Sequence, residues 1–405
     1  MGFSGLRLRS AFMIAMLRFF TAGESHGEAL IGLLEGMPAG LPVDFAFLDR
    51  ELWRRQQGYG RGGRMRIERD HARFIAGVRN GCTIGSPIAL WLENRDWKNW
   101  EKTLSVSAPA GEAARPVASP RPGHADLAGA LKWNFPESRY VLERASARET
   151  TARVALGALA KLLLRELDIE ILSHVIAVGS AALDPQVEVT WEKLRALAAR
   201  GEVLLSCLDA ASEARMHAEV DRALRTGDSV GGVFEVRAQG VPPGLGSCAS
   251  WDARLDGQLV QALVSIQAVK AAEIGEGIRL AARPGSISQD PIHYDREARR
   301  FSRPSNFAGG LEGGMSNGED IVMRGYLKPI STLRRPLESV DFQSRQPVKA
   351  AYERSDVCIV PAAAVVGEAM AALVLARAAL EKFGGDSLIE LKRNFAGYAA
   401  QLRAW

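Results

Sequence analysis

Two histidines stand in loops suited to ligand contact. His26 lies in Thr21-Ala22-Gly23-Glu24-Ser25-His26-Gly27, and His124 lies in Arg121-Pro122-Gly123-His124-Ala125-Asp126. Glycine suits tight turns and lets a ligand approach the backbone closely, and imidazole exchanges protons near neutral pH. Asp356, in Arg354-Ser355-Asp356-Val357-Cys358, can act as a base. Cations accompany these groups: Arg55, Arg61, Arg121, Arg144, Lys328 and Arg354 are spread along the chain. Scattered cations that converge in a fold make a pocket for a small polyanion, because guanidinium forks grip phosphate and carboxylate. The chemistry these residues support is proton transfer on a phosphorylated or carboxylated metabolite.

The elements that must position them can be read from local signals. Ser146 and Glu149 have capping-box spacing and predict a helix start, with Arg144 and Arg148 beside it. Arginines oppose the usual preference for acidic residues in a first helical turn, so an anion is expected to answer them. The helix body is rich in small residues (Ala152, Ala155, Gly157, Ala158, Ala160) and carries a stripe of Leu156, Leu159, Leu163 and Leu167, which places it in the core. A second Ala-rich helix is expected over Ala362 to Lys382, closed by Gly384-Gly385. Leu17 to Phe20 and Ala29 to Leu34 read as strands, and Asp44 caps a helix that ends at Arg54-Arg55-Gln56-Gln57. Asn80-Gly81 is a hairpin turn signal within a strand-rich stretch, Phe74 to Leu92. Further strands are expected at Ile169 to Val178 and Val230 to Ala238, and a helix at Leu255 to Val264. Ser105 to Pro120 reads as a long loop leading into His124. Residues 181–226 carry two charged amphipathic helices and read as a peripheral excursion, with His217 on a solvated face. His71, His174 and His293 have no sequence partners and read as structural. No boundary linker appears, so residues 17–405 are expected to form one α+β domain.

Composition sets the outer limits. The chain has 405 residues, 47% hydrophobic and 24% charged, as soluble globular proteins do. A formal net charge of +4 is too small to imply nucleic-acid binding and suits a small anionic ligand. The four cysteines show no metal-ligand spacing and read as reduced thiols, consistent with a cytoplasmic protein and no metal. No apolar run reads as a membrane span. Residues 1–16 are taken as an extension, with Met16 a plausible start, rather than as a signal peptide. The Gly58-Tyr59-Gly60-Arg61-Gly62-Gly63-Arg64 loop superficially resembles a dinucleotide glycine loop. A basic helix precedes it, however, and the strand-like alternation of Met65 to Arg69 follows it, so the Rossmann reading fails. Metalloprotease, P-loop and hydrolase signatures are absent from the sequence.

Taken together, Thr21 to Gly27, Gly58 to Gly62, Arg121 to Asp126, Arg144-Ala145-Ser146-Ala147-Arg148-Glu149-Thr150 and Lys328-Pro329 resemble the chorismate synthase family, in its order and spacing, from about Leu17 to Phe383. The resemblance implies a β-α-β sandwich with Ala-rich core helices, usually a homotetramer. It implies anti-1,4-elimination of phosphate from 5-enolpyruvylshikimate 3-phosphate to give chorismate, with reduced FMN required and no net redox change. Carried over by position, His26 donates a proton to the leaving phosphate, His124 stabilises the reduced flavin, and Asp356 helps the flavin N5 accept the substrate proton. Arg55 and Arg61 match positions for substrate anions or NADP. Flavin binding falls on Arg144, Ala145, Ser146, Gln267, Ala268, Gly313, Lys328, Pro329, Ile330, Ser331, Thr332 and Arg354. Many members have His-Asp-Pro where this chain has Ser355-Asp356-Val357, so a neighbouring histidine's proton role is absent here. No long insertion that could carry a flavin reductase is evident. The chain resembles the monofunctional bacterial type, supplied with reduced flavin by an external reductase. Two other classes stay open on the residues alone: an NAD(P)H-using flavin reductase, and a non-catalytic anion or RNA binder exploiting the Arg-Gly loop.

Overall fold

The computed structural model describes residues 17–62, 68–107, 116–297, 299–353 and 355–405. The N-terminal extension, Arg64, the first three residues of the Met65 to Arg69 alternation, part of the Ser105 to Pro120 loop and Arg354 lie outside the described residues.

Strands β1 (Arg18–Ala22), β2 (Ala29–Glu35), β3 (Arg73–Ala76) and β4 (Ile88–Glu93) form an antiparallel sheet in the order β1-β2-β4-β3. Side chains alternate between the two faces of a strand. Leu30 and Leu34 of β2, with Ile88, Leu90 and Leu92 of β4, therefore face the core, while Ile31 and Leu33 face outward. A second antiparallel sheet contains β5 (Glu170–Val178), β6 (Ala181–Ala182), β7 (Gly232–Gln239), β8 (Val269–Ile274) and β9 (Ile321–Leu327), in the order β8-β9-β7-β5-β6. The Asn80-Gly81 turn closes a short hairpin with both residues at positive φ, 50° and 76°, as a type I′ turn requires.

Helices pack between and around the sheets. They are α1 (Phe45–Gln56), α2 (Asp126–Trp133), α3 (Arg139–Ala145), α4 (Thr150–Arg165), α5 (Trp191–Ala198), α6 (Ala210–Thr226), α7 (Leu255–Val264), α8 (Val360–Phe383) and α9 (Leu388–Ala404). The Ala-rich pair α4 and α8 pack on each other, α4 against the first sheet and α8 against the second, giving a β-α-β sandwich. Small residues allow this closeness. A Cβ on Gly157 would fall 2.5 Å from the Ala369 Cα, and one on Gly32 would fall 3.1 Å from Leu156. Gly367 of α8 and Gly325 of β9 leave the space taken by the Phe234 ring. Each such position trades a side chain for backbone approach and dense packing.

Four charges cross this core. Arg54 of α1 pairs with Glu51 at 2.8 Å and Glu368 of α8 at 2.7 Å, and Lys161 of α4 pairs with Glu51 at 2.6 Å and also with Glu368. Ser173 of β5 donates to Glu368 at 2.5 Å, so the network ties three helices to the second sheet. Burial raises the Glu368 carboxyl, but Arg54 and Lys161 outweigh it and hold it at about 2.

Two sequence expectations change. The reading that no run could span a membrane missed α8, which is long and apolar enough by composition, with a mean hydropathy of 1.8. It is the buried core helix, with 89% of that window inside the fold. Helix α9 had not been anticipated, although Ser387 caps it by accepting from Glu390 N at 3.3 Å. It docks through Leu388, Leu391 and an edge-on contact of Phe395 with Phe383.

Candidate active site

The loops at one end of the sandwich enclose a cleft of about 1030 Å³. Both loop histidines line it, and each is backed by a buried carboxylate. His26 Nδ1 lies 2.9 Å from Glu143 Oε1, and its backbone N–H donates to the same carboxylate at 2.8 Å. The imidazole stacks on Trp100 at 4.1 Å. His124 Nδ1 lies 2.6 Å from Asp126 Oδ1. Arg121 grips the other Asp126 oxygen through Nε at 2.8 Å and its backbone N–H at 3.0 Å, and donates from Nη1 to Thr332 Oγ1. Burial raises both carboxyls, but hydrogen bonds and charge from their partners win: His26 and Arg139 for Glu143, His124 and Arg121 for Asp126. Both end below the usual carboxylate range, so each stays ionised and accepts from Nδ1. Proton exchange with a ligand then passes through Nε2 of each ring.

Asp356 lies on the same cleft. Its Oδ1 accepts the Gly62 N–H at 2.5 Å, and Oδ2 sits 3.4 Å from Arg61 Nε. Arg55 and Arg148 share one acid: Asp70 Oδ2 at 3.4 Å from Arg55, and Oδ1 at 2.5 Å from Arg148. Arg55 is completed by neutral acceptors, Thr150 Oγ1 at 2.9 Å and the Ala147 carbonyl at 3.0 Å. Burial first, and the neighbouring Arg148 and Arg61, push its guanidinium down to about 9 against the help of Asp70. Burial outweighs the nearby acids at this guanidinium, and an anionic ligand beside it would favour its charged form.

A second wall carries the expected cofactor segment. Ala145, Ser146, Gln267, Ala268, Lys328, Ile330, Ser331 and Thr332 all line the cleft. Gln267 Nε2 donates to Glu149 at 3.2 Å, while its Oε1 is buried without a hydrogen-bond partner. Ala268 holds a φ of 70°, unusual for a residue with a Cβ. Lys328 and Ser331 both donate to the Gly123 carbonyl, which joins this segment to the His124 loop.

Other expected residues lie elsewhere. The Ser146 region is not one capped helix: α3 ends there, a 3-10 turn covers Ala147–Glu149, and α4 begins at Thr150. Ser146 caps that turn by accepting from Arg148 N, while Glu149 turns away to Thr21, Arg153 and Gln267. Arg144 consequently sits in the last turn of α3, where a cation suits the helix dipole. It donates to Thr21 Oγ1 and O at 2.8 Å, away from the cleft walls. The anions expected to answer Arg148 are the protein's own Glu68 and Asp70. Gly313 lies in the open turn of a short hairpin, and Pro329 is likewise off the walls. Glu353 and Ser355, which flank Arg354, do line the cleft, and Ser355 donates to the Thr332 carbonyl at 3.2 Å. His217 is partly exposed on α6, and its ring also stacks on Tyr59 at 3.8 Å. Sequence reading also passed over Glu143, Asp126 and Trp100. Asp126 had a signal, two residues after His124 at a helix start, whereas Trp100 had none. Among the described residues, no cluster of three or more His, Cys, Asp or Glu is placed to hold a metal ion.

Comparison with known proteins agrees with this geometry. The family model for chorismate synthase matches residues 17–380. The chain is 66% identical to the chorismate synthase of Koribacter versatilis (strain Ellin345), covering 96% of this chain and 100% of that protein. It is 62% identical to that of Solibacter usitatus (strain Ellin6076), with the same coverage. A solved structure described as a crystal structure of chorismate synthase superposes with a TM-score of 0.76 at 40% identity, covering 96% of this chain and 99% of that one. The two histidine–carboxylate pairs, the arginine-rich wall and these matches over almost the whole length place the chain in the chorismate synthase family.

Proposed function

We propose that the cleft holds 5-enolpyruvylshikimate 3-phosphate against reduced FMN and expels phosphate by anti-1,4-elimination to give chorismate. The observation that carries this reading is the cleft itself. Two imidazoles, each fixed through Nδ1 by a buried carboxylate, share it with Asp356 and with Arg55 and Arg61.

The chain's residues divide the work by charge. Arg55 and Arg61 receive the substrate's anionic groups, where charge-assisted contacts relieve the crowding of guanidiniums. His26 delivers a proton from Nε2 to the leaving phosphate, and Glu143 keeps the ring oriented as that proton departs. His124, held by Asp126, sets a hydrogen-bond donor or acceptor beside the flavin. Asp356, fixed by the Gly62 N–H and flanked by Arg61, is placed to assist removal of the proton lost from the substrate ring. Reduced FMN, when bound, supplies an electron-rich ring that can lend electron density to phosphate departure and regain it, which accounts for a redox cofactor in a reaction without net redox change. The residues present fit this group. The unpartnered Gln267 Oε1 suits a ring N–H, and Lys328 and Thr332 offer an ammonium and a hydroxyl to a phosphate. We assign reduced flavin to an external reductase, the working state to a homotetramer and the location to the cytoplasm.

The test is an anaerobic assay with photoreduced FMN and the purified chain. The expected result is chorismate and phosphate in equal amounts, with the reduced-flavin absorbance back at its starting value after turnover. One flavin oxidised per product would overturn the elimination and favour a flavin reductase.

A further inference from the structure

The loop that supplies Arg61 and the Gly62 N–H is anchored from outside the cleft. Its Tyr59 reaches away from the site towards α6. The phenol donates to Asp221 Oδ1 at 2.7 Å, and the ring stacks on His217 at 3.8 Å with an interplanar angle of 24°. His217 Nδ1 lies 3.3 Å from the other Asp221 oxygen, so one carboxylate ties both rings. The hydrogen bond to Asp221 raises the Tyr59 phenol, with burial adding to it, so the hydroxyl remains a donor. The backbone is fixed on both sides of Tyr59. Its N–H donates to the Leu204 carbonyl at 2.7 Å, and the Gly60 carbonyl accepts from Val357 N at 2.7 Å. At Gly60 the chain passes so close to α6 that a Cβ would fall 2.8 Å from Val220 Cγ1. One residue later comes Arg61, 3.4 Å from Asp356, and then Gly62, whose N–H binds that same carboxylate.

We infer that Tyr59, Asp221 and His217 form a clamp on α6 that positions Arg61 and the Gly62 N–H for the substrate anion and Asp356. They are positioning residues. This rests on the proposed role of Arg61 as an anion contact. Helices α5 and α6 had read as a peripheral excursion, but α6 places two side chains on the loop that bears an active-site cation. Backbone hydrogen bonds hold the loop at Tyr59, Gly60 and Gly62, and Tyr59 adds a side-chain tie to α6. The clamp's effect on substrate affinity is expected to pass through Arg61, the anion contact nearest to it.

The experiment measures KM and kcat, together with thermal midpoints, for Tyr59→Phe, Asp221→Ala, Asp221→Asn, Arg61→Ala and the Arg61→Ala/Asp221→Ala double variant. Tyr59→Phe keeps the stacked ring and removes only the hydroxyl, so it reports even if Asp221→Ala folds poorly. The expected result is a KM for the phosphorylated substrate raised about fivefold in Tyr59→Phe and Asp221→Ala, with kcat within about twofold, the signature of lost binding common to ground and transition states. Asp221→Asn, which keeps an acceptor for the phenol, should restore KM. The double variant should match Arg61→Ala, since coupled residues are not additive. A KM near wild type in Tyr59→Phe and Asp221→Ala, while Arg61→Ala raises it, would overturn the clamp and leave the anion role of Arg61 intact. Multiplicative effects in the double variant would do the same. An unchanged KM in Arg61→Ala would overturn both.

Discussion

Arg54 and Arg55 are neighbours on α1 and live in opposite surroundings. Both are buried. Arg54 turns into the helical layer and meets two full carboxylates, Glu51 and Glu368. Burial alone would lower its guanidinium, yet the charges of Glu368 and Glu51 raise it well above the usual value. Arg55 turns into the cleft, shares Asp70 with Arg148 and is pushed down to about 9. Equal burial therefore has two outcomes, decided by how much opposite charge is nearby. Arg54 is a closed account of charge that fastens α1 to α8. Arg55 has only a long contact, 3.4 Å, with an acid that Arg148 holds at 2.5 Å, so an anion entering the cleft meets a cation without a close charged partner.

Variants on the two sides should separate accordingly. The largest effect is expected at the histidines, where His26→Ala or His124→Ala should lower turnover by roughly 10²–10⁴-fold, the usual worth of a general acid or base. Near-normal turnover in both would remove them from the chemistry. Next comes Glu368→Gln, which leaves Arg54 and Lys161 short of a buried partner. Denaturant titration should show a loss of about 3–5 kcal/mol, with kcat per folded molecule unchanged. A loss below about 1 kcal/mol would mean that water or rearrangement replaces the pair.

The third prediction compares the neighbours directly. Arg54→Met should cost more stability than Arg55→Met, and Arg55→Met should cost more in substrate KM. The reverse order would dissolve the distinction. The smallest effect concerns pH. Glu368 is held at about 2 in the fold against an ordinary value of 4.5. A depressed folded value means that its stabilisation is complete above pH 4.5 and is lost as pH falls towards 2. Stability curves of the wild type should therefore decline across that window, and Glu368→Gln should show a shallower decline. Parallel curves would place the acid lability elsewhere, with Asp126 and Glu143 the next candidates.

Much of the frame was legible because its signals are local. Asp44 caps α1, accepting from Phe47 N at 3.0 Å, and α8 ends at Gly384. The Leu stripe of α4 is buried throughout. Both histidine loops and Asp356 converge on one cleft, as their residue types suggested. The errors arose where one local signal served two structures. Ser146 has a cap's side chain, but its ψ of 141° ends one helix before it starts a turn, so Arg144 and Arg148 belong to different elements. Glu143 went unassigned because it lies 117 positions from His26 and meets it only when a loop folds onto a helix, whereas Asp126 left a local signal two residues from His124. The contact of Tyr59 with α6 joins residues 162 positions apart and has no trace in local pattern. Helix α9 did leave a trace, the Ser387 and Glu390 spacing.

The near-touching backbones of Gly157 and Ala369 also set the protein's clock for motion. Helices that meet without intervening side chains, under a sheet on either face, cannot slide or part by small steps. Their amides will exchange with deuterium only when the whole sandwich opens, whereas the glycine-bearing loops around the cleft will exchange through local openings. Ligand capture is then a matter of stilling loops over a frame that was rigid before the ligand arrived.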